Sequence, residues 1–100
     1  MKTFSYFISK KAIADLEDIW LYTVENWSVV QADRYYDLIF DEIKFICVHN
    51  SSGKSIQHIR KGYRVSKVKA HLIFYRVQND TIEIIRILHE RMDIENRLND

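Results

Sequence analysis

Thr81-Ile82-Glu83-Ile84-Ile85-Arg86-Ile87-Leu88-His89-Glu90-Arg91-Met92-Asp93 is the stretch on which the fold turns. Thr81 to Leu88 is a largely apolar strand, and the chain becomes charged within one residue of its end. The two-residue period of a pleated chain puts Ile82, Ile84, Arg86 and Leu88 on one face and Ile85 and Ile87 on the other. Apolar residues on both faces describe a strand covered on both sides, or one whose second face awaits a partner. Arg86 interrupts the apolar pattern. Its guanidinium stays charged, so it pairs with a carboxylate, reaches solvent or meets a ligand.

Two more strands precede this one, Tyr63 to Val68 and His71 to Val77. Lys69-Ala70 and Gln78-Asn79-Asp80 are short enough to be hairpin turns, so the three strands form a meander. Upstream lies a loop, His49 to Gly62, with turn chemistry at Asn50-Ser51-Ser52-Gly53 and with Ile56 and Ile59 to pin it to the core. Before the loop come two helices. Ser9 caps the first, whose stripe is Ile13, Leu16, Ile19, Trp20 and Thr23 or Val24, ending near Asn26. Ser28-Val29-Val30-Gln31 reads as a capping box that opens the second, with the stripe Ala32, Tyr35, Tyr36, Ile39, Ile43, Ile46 and Cys47. The short break at Asn26-Trp27 folds the two back on each other. Phe4 to Ile8 forms a first strand, and Met92 to Leu98 a short last helix with Ile94 and Leu98 inward. The order strand, helix, helix, meander is α+β. We expect one domain over residues 1–100, an antiparallel sheet with the helical hairpin on one face, and the first strand paired with the meander. The other face is expected to be concave and partly apolar.

Nearly half of the 100 residues are apolar and 13% are aromatic, which excludes a disordered tail. No apolar run approaches a membrane span, and the N-terminus lacks a signal peptide's apolar core. Cys47 is the only cysteine, so no intrachain disulfide forms, which fits a reducing cytoplasm, and its apolar neighbours make it a small buried hydrophobe. The histidines at 49, 58, 71 and 89 lie far apart and show no zinc spacing; no cofactor and no metal are expected. The net charge of +1 hides an asymmetry: residues 1–50 hold five Lys/Arg against eight Asp/Glu, and residues 51–100 hold ten against six. Seven basic residues and no acid occur from Lys54 to Asn79. Such a run is a solvated face, or a surface for phosphate or an acidic protein partner.

Four stretches resemble the ParE branch of the RelE/ParE toxins of bacterial type II toxin–antitoxin systems. They are Ala14-Asp15-Leu16-Glu17-Asp18-Ile19-Trp20 with Tyr22-Thr23; Trp27 with Gln31-Ala32-Asp33-Arg34-Tyr35; Arg60-Lys61-Gly62-Tyr63-Arg64 leading into His71-Leu72-Ile73-Phe74-Tyr75-Arg76-Val77; and Ile84 to Asp93. The resemblance spans nearly the whole chain, and its β-α-α-β-β-β fold agrees with the element order read above. Two loops depart from the family pattern: no proline precedes Gly62-Tyr63, and Lys69-Ala70 has no glycine.

The resemblance implies a toxin that poisons DNA gyrase by stabilising its cleaved-DNA complex and is neutralised by a ParD-like antitoxin. On that reading the protein has no active site, and the partners are the antitoxin, gyrase and, indirectly, DNA; no membrane is involved. Target-binding residues would be Arg86, His89, Arg91, Met92 and Asp93. Antitoxin anchors would be Trp20 or Tyr22, Tyr36, Phe74 and Leu88. Each of these residues also has a plain structural role open to it. Two alternatives remain. One is a ribosome-dependent mRNA endoribonuclease of the RelE branch, drawing on Arg64, Lys67, Arg76, Arg86 and His89 for proton transfer and phosphate binding. Against it, Leu72 stands where many such relatives carry a catalytic arginine. The other is a non-toxic relative that binds only its antitoxin.

Overall fold

The computed structural model describes residues 2–99. Its elements are β1 (Ser5–Ile8), α1 (Lys10–Asn26), α2 (Val29–Val48), β2 (Lys54–Ser55), β3 (Tyr63–Val68), β4 (His71–Gln78), β5 (Thr81–His89) and α3 (Ile94–Leu98). Both helices begin where their caps predict. Ser9 Oγ accepts from Ala12 N (3.1 Å), and Ser28 Oγ accepts from Gln31 N (3.1 Å). The α2 stripe is as expected, with Ala32, Ile39, Ile43, Ile46 and Cys47 buried. The α1 stripe begins one residue earlier: Ala12 is buried and Ile13 is exposed. Burial also pushes the Cys47 thiol pKa up, which keeps it an inert core residue.

The sheet order is β1-β5-β4-β3-β2. β3, β4 and β5 form the expected antiparallel meander, and β1 joins it. Two features differ from the sequence reading. β1 runs parallel to β5, not antiparallel, because α1 and α2 together carry the chain back to the starting end of the sheet. A two-residue strand, β2, also forms inside the expected loop, pairing Lys54 with Val65 and Ser55 with Arg64.

The face assignment along β5 also needs correcting. Gln78 to Tyr75 pair with Thr81 to Ile84, but Phe74 pairs with Arg86, so Ile85 is an extra, bulged residue. Beyond the bulge every side chain changes face. Ile82, Ile84 and Ile87 therefore enter one core with Ile73 and Tyr75, under the helices. Leu88 joins Phe74, Ile56 and Leu98 in a second core on the opposite face. That face is consequently not an open apolar surface: the 56–62 turn and α3 cover its centre. On the helix-covered face Gly53, just before β2, donates N–H to the buried Tyr75 Oη (2.9 Å), and a Cβ there would lie 2.5 Å from that oxygen.

β1 ends opposite Ile84, and α1 serves the β5 edge beyond it. Ser9 N donates to Ile84 O (3.0 Å) and Ser9 Oγ to Ile85 O (2.8 Å). Asp15 Oδ2 accepts from Ile87 N (3.0 Å). The same carboxylate takes Arg86 in a two-pronged bond, Nε to Oδ2 at 2.8 Å and NH2 to Oδ1 at 2.9 Å, and Arg86 NH1 reaches Arg97 O (2.9 Å). Both side chains are about nine-tenths buried. Removing one partner of such a pair leaves a buried charge and costs about 3–5 kcal/mol. Asp15→Ala should therefore lower the unfolding free energy, read from urea titration, by that much, and adding Arg86→Met should recover a large part. A loss in Asp15→Ala below about 1 kcal/mol, the value of an exposed pair, would contradict this account.

Candidate functional site

The end of β5 and the turn after it form one side of a groove against α1 and the α1–α2 junction. His89 pairs in register with His71, and their rings meet edge to face with centroids 5.2 Å apart. His71 Nδ1 lies 2.5 Å from Tyr35 Oη, which also reaches Val68 O (3.2 Å). A tyrosine has one proton, so Tyr35 donates to one of these atoms and accepts from a donor nitrogen if it is to engage both. Two adjoining cavities, of about 450 and 390 Å³, meet at Tyr22, His71 and His89. The first extends to Asp18, Ile19 and Met92, the second to Trp27, Gln31 and Tyr35. The walls are aromatic and aliphatic with a few polar groups, as in a site for an apolar side chain or a planar group.

The 89–93 turn is built by local bonds. Arg91 N donates to His89 Nδ1 (3.1 Å), Met92 N to His89 O (3.0 Å) and Glu90 N to Ala70 O (2.9 Å). These hold Arg91, Met92 and Asp93 at the surface, with Met92 on the groove wall. Asp93 also accepts from Asn96 Nδ2 (2.6 Å) at the start of α3. His89, Arg91, Met92 and Asp93 thus form one neighbourhood. Arg86 does not belong to it, because its guanidinium is buried against Asp15 and Arg97.

The residues expected to anchor an antitoxin divide in the same way. Tyr22 is 60% exposed, and Trp20 and Tyr36 together line a depression of about 440 Å³ on the helical hairpin. Phe74 and Leu88, at 2% and 1% exposure, are packed in the second core under the chain's own α3 and turn, so neither offers a surface to a partner in this conformation. The residues of the nuclease alternative do not converge. Arg64 binds Gly53 O (2.6 Å), Arg76 Nε binds Glu83 (2.6 Å), and Lys67 bridges to Glu90 (3.4 Å). Arg64 and Arg76 occupy adjacent pairs of the β3–β4 ladder and so point to opposite faces, while His89 sits at the other end of the sheet. No grouping of three His, Cys, Asp or Glu side chains suited to a metal occurs among the described residues. No helix among them is long and apolar enough to cross a membrane.

His71 and Tyr35 are the groove residues that the sequence did not single out as a site. Burial chiefly, and the charge of His89 secondarily, lower the His71 pKa from 6.5 to about 4. Burial also raises the Tyr35 pKa. His71 is therefore neutral in the fold at neutral pH and binds a proton more readily when unfolded. Its contribution is complete above about pH 6.5 and is lost as pH falls from there towards 4. By pH 5 the loss should be about 1 kcal/mol, less than the full shift implies because the ring is partly solvated. Urea midpoints at pH 7.5 and 5 check this: His71→Gln should show a smaller acid drop than the unaltered chain, and equal drops would refute it.

A profile described as "ParE toxin of type II toxin-antitoxin system, parDE" matches residues 6–94. The chain is 40% identical over 88 residues to Toxin ParE1 of Caulobacter vibrioides, covering 88% of this chain and 91% of that protein. It is 37% identical over 94 residues to Toxin ParE1 of Mycobacterium tuberculosis, covering 93% and 96%. A solved structure of the chromosomal ParDE toxin–antitoxin system from P. aeruginosa superposes with a TM-score of 0.76 at 22% identity, covering 89% of this chain and 98% of that one, which shows the shared fold. The chain belongs to the ParE toxin family of type II toxin–antitoxin systems.

Proposed function

We propose that this ParE-type toxin poisons DNA gyrase by stabilising its cleaved-DNA complex, and that a ParD-like antitoxin in the same cytoplasm neutralises it. The family match over residues 6–94 carries the reading. The geometry supports it in one respect: the exposed 89–93 turn presents Arg91, Met92 and Asp93 beside His89 on a rigid strand end. A protein acting in this way needs no catalytic group. Its effect equals its differential affinity for one state of the target. The nuclease alternative gains nothing from the dispersed Arg64, Arg76, Arg86 and His89.

For the antitoxin, the exposed apolar residues of the helical hairpin are the better anchors. Tyr22 on one side and the Trp20–Tyr36 depression on the other would receive an amphipathic segment. Truncation after Leu88 would remove Leu98 from the second core and Arg97 O from Arg86, so toxicity is better tested with point variants.

The test is a supercoiling assay with purified gyrase, plasmid, ATP and the folded chain. Linear, protein-linked DNA should accumulate. Arg91→Glu with Met92→Ala should reduce that accumulation at least about tenfold, the loss of roughly 1.4 kcal/mol of differential binding, while antitoxin titrations stay unchanged. Absence of cleaved DNA with the unaltered folded chain would refute gyrase poisoning. Equal loss of both activities in the variant would assign the turn a structural role instead.

A further inference from the structure

The chain between Lys54 and Arg64 is a hairpin at the free end of the sheet, since β2 is the last strand. Its ends are joined by the Lys54–Val65 and Ser55–Arg64 pairs. Its turn is closed by Ile56 N to Tyr63 O (3.0 Å), Arg60 N to Ile56 O (3.0 Å) and Tyr63 N to Arg60 O (3.2 Å), and Ile56 anchors it in the second core. This rigid hairpin carries Lys54, Arg60, Lys61 and Arg64 and no acidic residue. Ion pairs among the described residues join Lys2 to Asp80, Lys67 to Glu90, Arg76 to Glu83 and Arg86 to Asp15; none engages the four hairpin cations.

The two arginines are held in place by neutral groups. Arg60 lies over the Tyr63 ring, 5.8 Å from its centroid, and its NH1 donates to Asn99 Oδ1 (2.9 Å). Arg64 NH1 donates to Gly53 O (2.6 Å) and Ser51 O (3.3 Å). A guanidinium has five N–H donors, so each retains donors for an anion and keeps its full charge. The large exposed apolar side chains all lie elsewhere, on β1, α1, the α1–α2 junction, α2, Val77 and Met92. A protein partner would be expected to find an apolar or aromatic anchor at the centre of its contact. A polyanion needs only positioned cations.

We propose that the Lys54–Arg64 hairpin contacts the phosphate backbone of duplex DNA. The contact carries no base readout, because phosphate contacts position a protein without reading sequence. Lys54 pairs with Val65 and Arg60 lies over Tyr63, on one face of the hairpin, while Arg64 points to the other. With about three cations engaged, the logarithm of affinity should fall against the logarithm of salt with a slope of about −3.

The test measures fluorescence anisotropy of a short labelled DNA duplex titrated with the full chain over a range of NaCl concentrations. No gyrase is present, so failure here is separate from failure of the poisoning reading. Lys54→Glu with Lys61→Glu should weaken binding at least about tenfold at low salt and lower the salt slope by about two. Lys10→Glu with Lys11→Glu, the same charge change placed at the start of α1, should weaken it far less. Circular dichroism confirms that both doubly substituted chains fold. Equal weakening by the two pairs would mean a response to net charge alone and would overturn the site. So would no binding by the unaltered chain at low salt, or tighter binding to an RNA duplex of the same length. Displacement of the DNA by polyglutamate at matched charge would assign the hairpin to an acidic protein instead.

Discussion

The Asp15 carboxylate ties together three elements that no backbone ladder connects. It stands where β1 stops, and it supplies the acceptor that the next residues of β5 would otherwise lack. A buried backbone N–H without a partner costs about as much as a lost hydrogen bond, so the edge of β5 needs such a group wherever it leaves the sheet. Arg86 then neutralises the carboxylate and carries the connection through to Arg97 O, at the end of α3. The helical layer, β5 and the last helix are therefore oriented by one charged pair. The arrangement is more demanding than an apolar contact. It fails if either charge is missing, and it fixes where α3 sits as well as how firmly it is held.

The residues of β5 show how much of the fold could be read from sequence. Its existence, its neighbours and both helices are legible because their periods and caps are local properties: Ser9 and Ser28 sit at the N-caps they suggest, and Ile39, Ile43 and Ile46 face inward at helical spacing. The turn at Asn79 and Asp80 is legible in the same way, and both residues take positive φ, of 52° and 60°, as a tight hairpin requires. The bulge at Ile85 is not legible. Its residues give no signal of their own, since an isoleucine among isoleucines fits either register. Yet that one residue reverses the faces of Arg86, Ile87 and Leu88. Extending the hairpin register from Gln78–Thr81 without it would set His71 opposite Leu88, whereas the structure sets it opposite His89. The parallel pairing of β1 is hidden for a related reason. It depends on where two helices deliver the chain, a tertiary property that no window of sequence contains.

The candidate site follows the same division. Arg91, Met92 and Asp93 are pointed to by the resemblance to the family and not by any local pattern of their own, and the structure holds them at the surface. His71 and Tyr35 are far from them in sequence, and only the bulged register and the helix packing bring them into the groove. Phe74 and Leu88 look like surface anchors as long as the second face of the sheet is taken to be open. The covering α3 is short and carries only Ile94 and Leu98 as apolar signals. Arg86 had three outcomes open to it, and the choice among them lay with Asp15, 71 residues away.

The chemistry left at the surface is divided between two parts of the molecule. Exposed apolar side chains cluster on the helical hairpin and at the groove: Leu21, Tyr22, Trp27, Val29, Val30 and Met92. Four cations that pair with no carboxylate among the described residues sit at the other edge of the sheet, on the Lys54–Arg64 hairpin. The first surface gains by losing water, and salt affects it little. The second gains by releasing counterions, and salt weakens it steeply. On the poisoning reading this division has a mechanical consequence. An antitoxin seated on the helical hairpin need not touch the cationic edge, so it would neutralise the toxin by standing in the way of gyrase at the 89–93 turn without bonding to Arg91 or Met92, and DNA affinity would survive in the neutral complex. Binding to DNA alone would then not distinguish toxin from complex; access to Arg91 and Met92 would.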